Sequence, residues 1–159
     1  APIVALQVEM LQSSLSEFLC ALADGAEYEP DFASGYGVAV SLAVPPFPLT
    51  IQKFSTDDFV LQNEEISFTS DITKDDLTHI CFQEVSKRDG PEGEPLYYWA
   101  GPLGLGMHLT SAADTLSEAQ KAAYRLIDKI VLPIEFYRTD LGDRVKDKDL
   151  SLLKKLDLL

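Results

Sequence analysis

Side chains able to do chemistry are sparse in this chain. The densest group of them is Tyr137-Arg138-Thr139-Asp140-Leu141-Gly142-Asp143-Arg144. Two guanidiniums flank a carboxylate, and Gly142 is free to take positive φ in the turn between them. Turned outward, Arg138 and Arg144 suit a phosphate or carboxylate ligand, because the guanidinium fork matches those anions; Asp140 would orient them. The same residues could equally form a salt-bridged loop that locks a helix to a sheet. Cys20 and Cys81 are expected to be buried free thiols, and nothing in the spacing places His79 or His108 beside either as a base. No C-x-x-C or H-x-x-x-H spacing supports zinc. Residues 57–76 hold seven acids without the spacing of a calcium loop, and read as a solvated acidic face. Gly101-Pro102-Leu103-Gly104-Leu105-Gly106 reads as a softened turn between strands. It lacks the dinucleotide pattern, and no phosphate-cradling helix directly follows it.

The element expected to position the arginine cluster begins at Thr115. Thr115 and Glu118 form a capping box, and Leu116, Ala119, Ala123, Leu126, Ile127 and Ile130 fall on one helical face. Lys121, Arg125, Asp128 and Lys129 fall mostly on the other face, and Pro133 stops the helix at or before Leu132. Residues 134–137 then run extended. Near the start, Leu11, Leu15, Phe18, Leu19 and Leu22 make a helical stripe that Gly25 can cap. Residues 37–44 form an apolar strand buried on both faces, ended by a rigid extended loop at Pro45, Pro46 and Pro48. Shorter strands are expected at 51–54, 59–62, 66–69, 79–85 and 96–99, with a turn at 88–93. Residues 147–159 form a second amphipathic helix on the stripe Leu150, Leu153 and Leu156, widened by Leu152 and Leu159. Docking on its own domain is the expected use of this stripe, and self-association or a partner contact is the other.

With 159 residues, 46% of them hydrophobic, the chain can bury one real core. A formal charge of −13 argues against a nucleic-acid partner and against an anionic membrane surface. A local basic pocket stays compatible with that sign. No apolar run approaches the roughly 20 residues that span a bilayer. The start shows no signal peptide, and free thiols fit a reducing compartment, so a cytoplasmic location is expected.

The motifs resemble, in the same order, those of the C-terminal domain of phosphoribosylamine–glycine ligase, an enzyme of the ATP-grasp superfamily. Thr115-Leu116-Ser117-Glu118-Ala119 with Ala123-Tyr124 looks like that family's T-L-x-E-A…A-Y helix, and Arg138 to Arg144 like its R-x-D-I-G-x-R cluster. Leu11-Gln12-Ser13-Ser14-Leu15 is similar to L-K-S-D-L. Residues 38–43 resemble the strand before a G-Y-P turn, here Pro46-Phe47-Pro48. Ile80-Cys81-Phe82 resembles the strand leading to F-H-A-G-T, and residues 104–110 a degraded G-G-R-V-L-x-V-T. The chain also departs from the pattern. Phe82-Gln83-Glu84-Val85-Ser86 has lost the histidine and glycine, Leu105 stands at the G-G-R arginine, and only Gln7 survives of D-P-E-T-Q.

The resemblance implies an α+β fold: a mostly antiparallel, barrel-like C-terminal lobe with an N-terminal helix, one helix packed on the sheet and a C-terminal helix. Residues 1–30 would be a helix from the end of the ATP-grasp region, 31–145 the ligase-like domain, and 146–159 an addition. A chain opening mid-pattern reads as part of something longer. The implied parent uses ATP and Mg2+, held outside this segment, to activate glycine as an acyl phosphate that the amine of phosphoribosylamine then attacks. The implied partners are the rest of the parent chain and a small-molecule substrate, contacted here by Arg138, Asp140, Arg144 and the Pro46 turn. A non-catalytic or substrate-shifted relative, kept as an interaction module, is the alternative.

Overall fold

The computed structural model describes residues 2–48 and 63–158. The strands expected at 51–54 and 59–62, and Asp57 and Asp58 of the acidic run, lie outside the described residues.

Two antiparallel sheets carry the fold. In the first, β1 (Tyr36–Ala43) and β3 (Ile80–Phe82) flank the central β6 (Leu105–Ala113). The second has the order β4 (Val85–Asp89), β5 (Pro95–Trp99), β2 (Glu65–Phe68), β7 (Ile130–Val131). Among the described residues the sheets do not close into a barrel. A ring contact joins them: Phe82 of β3 stacks on Tyr97 of β5 at 4.9 Å, and Phe68, in the same sheet as Tyr97, meets that ring edge-on at 5.5 Å.

Register sets the two faces of the first sheet. Val38 pairs with Ser111 and Ala39 with Thr110, so successive residues point to opposite sides. On one side lies α4 (Leu116–Ile127), where Ser111 donates from Oγ to the Ala119 carbonyl at 2.6 Å. Every expected stripe residue of α4 is buried: Leu116, Ala119, Ala123, Leu126 and Ile127, with Ile130 buried just beyond in β7. Thr115 caps this helix as expected. On the other side lies α1 (Pro2–Met10), where Thr110 reaches Glu9. Coverage by both helices explains why β1 is so apolar.

Several expectations need correction. The N-terminal region holds two helices, α1 and α2 (Leu15–Asp24), with Ser14 capping α2 and Gly25 closing it in the left-handed region at φ 66°. Leu11 is not helical but bridges to Phe32. The strand expected at 79–85 is two strands in different sheets, broken at Gln83-Glu84. The end of the acidic run forms a helix, α3 (Lys74–Thr78), through a capping box of Thr73 and Asp76. The proline segment is a turn with cis bonds at Pro45-Pro46 and Phe47-Pro48, rather than an extended loop. Cys20 and Cys81 are free but exposed, because α2 buries no residue and Cys81 faces a cleft. The C-terminal region runs through a π-helical turn (Val145–Asp149) into α5 (Leu150–Lys155). Of it, Leu150 packs against the core while Leu152, Leu156 and Leu158 stay exposed.

Candidate functional site

The arginine cluster sits on a loop stapled to α4. Tyr124 donates from its hydroxyl to the Arg138 carbonyl at 2.8 Å and accepts from the Leu141 amide. Gln120 Nε2 donates to the Leu141 carbonyl and to Asp143 Oδ1, each at 2.8 Å. Burial pushes the Tyr124 hydroxyl above its ordinary pKa, so it stays a neutral donor at physiological pH. The helix pattern and the cluster that sequence set side by side are thus one unit.

Within that unit, Arg138 and Asp140 form a fork: Nε to Oδ1 at 2.9 Å and Nη2 to Oδ2 at 2.7 Å. The hydrogen bonds from Arg138 hold the Asp140 carboxyl below its usual range. Arg144 does not share Asp140. Its Nε meets Asp149 Oδ2 at 3.0 Å, across the π-helical turn. Both guanidiniums are exposed, at 71% and 84%. The Pro46 turn lies against the segment that leads into the cluster: the Phe47 ring is 6.4 Å from the Phe136 ring and Ala43 pairs with Phe136, two residues before Arg138.

Two of the departures from the family motifs meet in space. The Glu84 carboxylate accepts from the Leu103 amide at 3.0–3.1 Å and from the Gly104 amide at 2.8 Å. Gly104 takes φ 81°, and a Cβ there would lie 2.2 Å from the Val44 carbonyl oxygen, so only glycine fits. A carboxylate therefore fills the amide nest of the glycine-rich turn, which leaves those donors engaged. This agrees with the reading of that turn as structural.

A polar group that sequence did not expose lies between α1 and the first sheet. Glu9 accepts from His79 Nδ1 at 2.8 Å and from Thr110 Oγ1 at 2.8 Å, and is 11% exposed. This cluster borders a cleft of about 610 Å³ walled by Val4, Val8, Cys81 and Gln83, and a smaller one of about 360 Å³ towards Arg125 and Lys129. There Lys129 Nζ bonds Asp76 at 2.8 Å, which with Thr73 brings the Asp76 carboxyl down to about 2. Glu9 and His79 are 70 positions apart, so spacing carried no signal for the pair. His108 is buried with Nδ1 2.9 Å from Ser41 Oγ, and burial lowers its pKa.

Two antiparallel sheets with helices on both faces of one of them define an α+β lobe. The chain is similar in structure to the phosphoribosylamine–glycine ligase of Thermotoga maritima, at 25% identity and a TM-score of 0.53. The match covers 77% of this chain and 26% of that one, in keeping with a C-terminal domain. No family model matches the chain, and no curated protein does.

Proposed function

We propose that the chain is the C-terminal lobe of a longer ATP-dependent carbon–nitrogen ligase, one that joins glycine to phosphoribosylamine in purine biosynthesis in the cytoplasm. The observation that carries this reading is the likeness in fold to such a ligase. The ordered motifs ending at Arg144 support it. In this reading the lobe forms one wall of the substrate cleft. Arg138 and Arg144 contact the anionic group of the substrate, Asp140 positions Arg138, and the Pro46 turn shapes the substrate side. An exposed fork can exchange its carboxylate for a phosphate without rebuilding the loop.

ATP and Mg2+ would be held by the rest of the parent chain, because the described residues here do not fit them. The amides of the glycine-rich turn are engaged by Glu84, and among the described residues no three His, Cys, Asp or Glu side chains gather to hold a metal. The chain alone is expected to be inactive.

The test is ADP release by the longer protein with glycine, phosphoribosylamine and ATP-Mg2+. Release that requires both substrates is expected. Arg138→Ala should then raise the KM for phosphoribosylamine about tenfold or more, consistent with one lost charge-assisted contact. Unchanged kcat and KM would reject the arginine assignment. A second reading, a relative kept as an interaction module, is favoured by Glu84 filling the amide nest where two family motifs are lost. A folded longer protein with no substrate-dependent ADP release would select it.

A further inference from the structure

The two sides of the first sheet differ in chemistry. Towards α4, the paired positions of β1 and β6 are Val38 with Ser111, Val40 with Leu109 and Leu42 with Met107. Towards α1 they are Ala39 with Thr110 and Ser41 with His108, and β3 places Cys81 opposite His108. Packing alone gives a helix-covered face no use for serine, histidine, threonine and cysteine, because each polar group taken from water needs a partner. His108 shows the cost. It is 1% exposed, its Nδ1 meets Ser41 Oγ at 2.9 Å, and its Nε2 has no hydrogen-bond partner among the described residues.

The cleft of about 610 Å³ opens on this polar side, and its volume falls within the roughly 300–1,000 Å³ of small-molecule sites. Val4, Ala5 and Val8 of α1 form its apolar wall, and Cys81, Gln83 and Thr110 line the strand side. Glu9 lines it too, 11% exposed and held in place by His79 and Thr110. Those two donors leave acceptor sites on its oxygens, since a carboxylate offers about four. Among the described residues, no lysine or arginine lines the cleft. An anion would meet the Glu9 carboxylate with neither to offset it, whereas a cation is drawn to it. We propose that this cleft binds a small primary amine with an apolar tail. The ammonium donates to Glu9, and the tail lies against Val4 and Val8. The inference stands apart from the ligase reading, because glycine and phosphoribosylamine each carry an anionic group that this cleft does not match.

The experiment is titration of the full 159-residue chain with butylammonium, followed by the amide signals of α1 and β3 in a nitrogen–proton correlation spectrum. Butanol and butyrate, of the same chain length, are the comparisons. Butylammonium should give shifts that saturate at millimolar concentration, as expected for so small a ligand. Butanol should bind at least about tenfold more weakly, and butyrate should give no saturable shift. Glu9→Gln keeps an acceptor for His79 and Thr110 but removes the charge, and should weaken butylammonium about tenfold or more. A second readout needs no variant. Saturating butylammonium should slow modification of Cys81 by methyl methanethiosulfonate, a small neutral thiol reagent, and leave Cys20, exposed on α2, unchanged. Absence of saturable shifts, equal binding of butanol or butyrate, full affinity in Glu9→Gln, or equal modification of Cys81 with and without the amine would each overturn the proposal.

Discussion

Helices α4 and α2 look alike as sequence and differ completely in use. Each has a hydroxyl side chain at its N-cap, Thr115 for α4 and Ser14 for α2. Each carries an apolar stripe. Yet α4 buries Leu116, Ala119, Ala123, Leu126 and Ile127, while α2 buries no residue at all. An amphipathic stripe reports that a helix needs an apolar partner, not whether the same domain supplies it. For α4 the partner is the β1–β6 face, placed beside it by the turn after Ala113. For α2 no part of the described chain covers Leu15, Leu19 and Leu22. Helix α4 also anchors the arginine loop through Tyr124 and Gln120, so the finished interface is the one that holds the proposed substrate contacts.

The contrast can be broken most forcefully at the core. Leu126→Ala, at a site 6% exposed, should cost about 2–5 kcal/mol in denaturant unfolding. A cost under about 1 kcal/mol would mean that α4 is not part of the cooperative core. The caps sharpen the comparison next. Thr115→Ala should lose about 1 kcal/mol, while Ser14→Ala should leave global stability nearly unchanged, because a helix without buried contacts adds little to it. Equal losses would place α2 within the same cooperative unit.

Asp76 tests whether α3 is tied to the α4 end through Lys129. Its folded carboxyl is lowered from 3.8 to about 2, so the stability it contributes is full above pH 3.8 and lost as pH falls towards 2. Asp76→Asn should lower the melting temperature at pH 7 and flatten its fall between those pH values. An unchanged acid profile would reject the tie. The smallest effect belongs to Leu19→Ala, at a site 54% exposed, where the change should stay within about 0.5 kcal/mol.

What sequence made legible follows the same division. The α4 stripe, its cap, β1 and the Gly25 cap were readable because local periodicity and capping chemistry determine them. The split of the expected N-terminal helix into α1 and α2 was not, since PIVALQVEM is apolar on nearly every side and shows little helical period to set it apart. Strand β6 was hidden for a related reason: LGMHLTSAA is covered on both faces and does not alternate. Helix α3 carries one large apolar residue, Leu77, and its start is visible only as a Thr73–Asp76 box inside an acidic run. The break at Gln83-Glu84 depends on Glu84 reaching amides 19 and 20 positions away. At the candidate site, Arg138 and Asp140 were legible as neighbours two residues apart. The partner of Arg144 depends on the π-helical turn that brings Asp149 round to it.

Hydrogen exchange of the full chain, read by peptide mass spectrometry, tests the central contrast most directly. Amides of α4 and β6 should exchange only through global unfolding, and those of α2 should exchange at least about a hundredfold faster through local opening. Equal protection of α2 and α4 would contradict the account, because it would require α2 to be packed as firmly as the helix that completes the core.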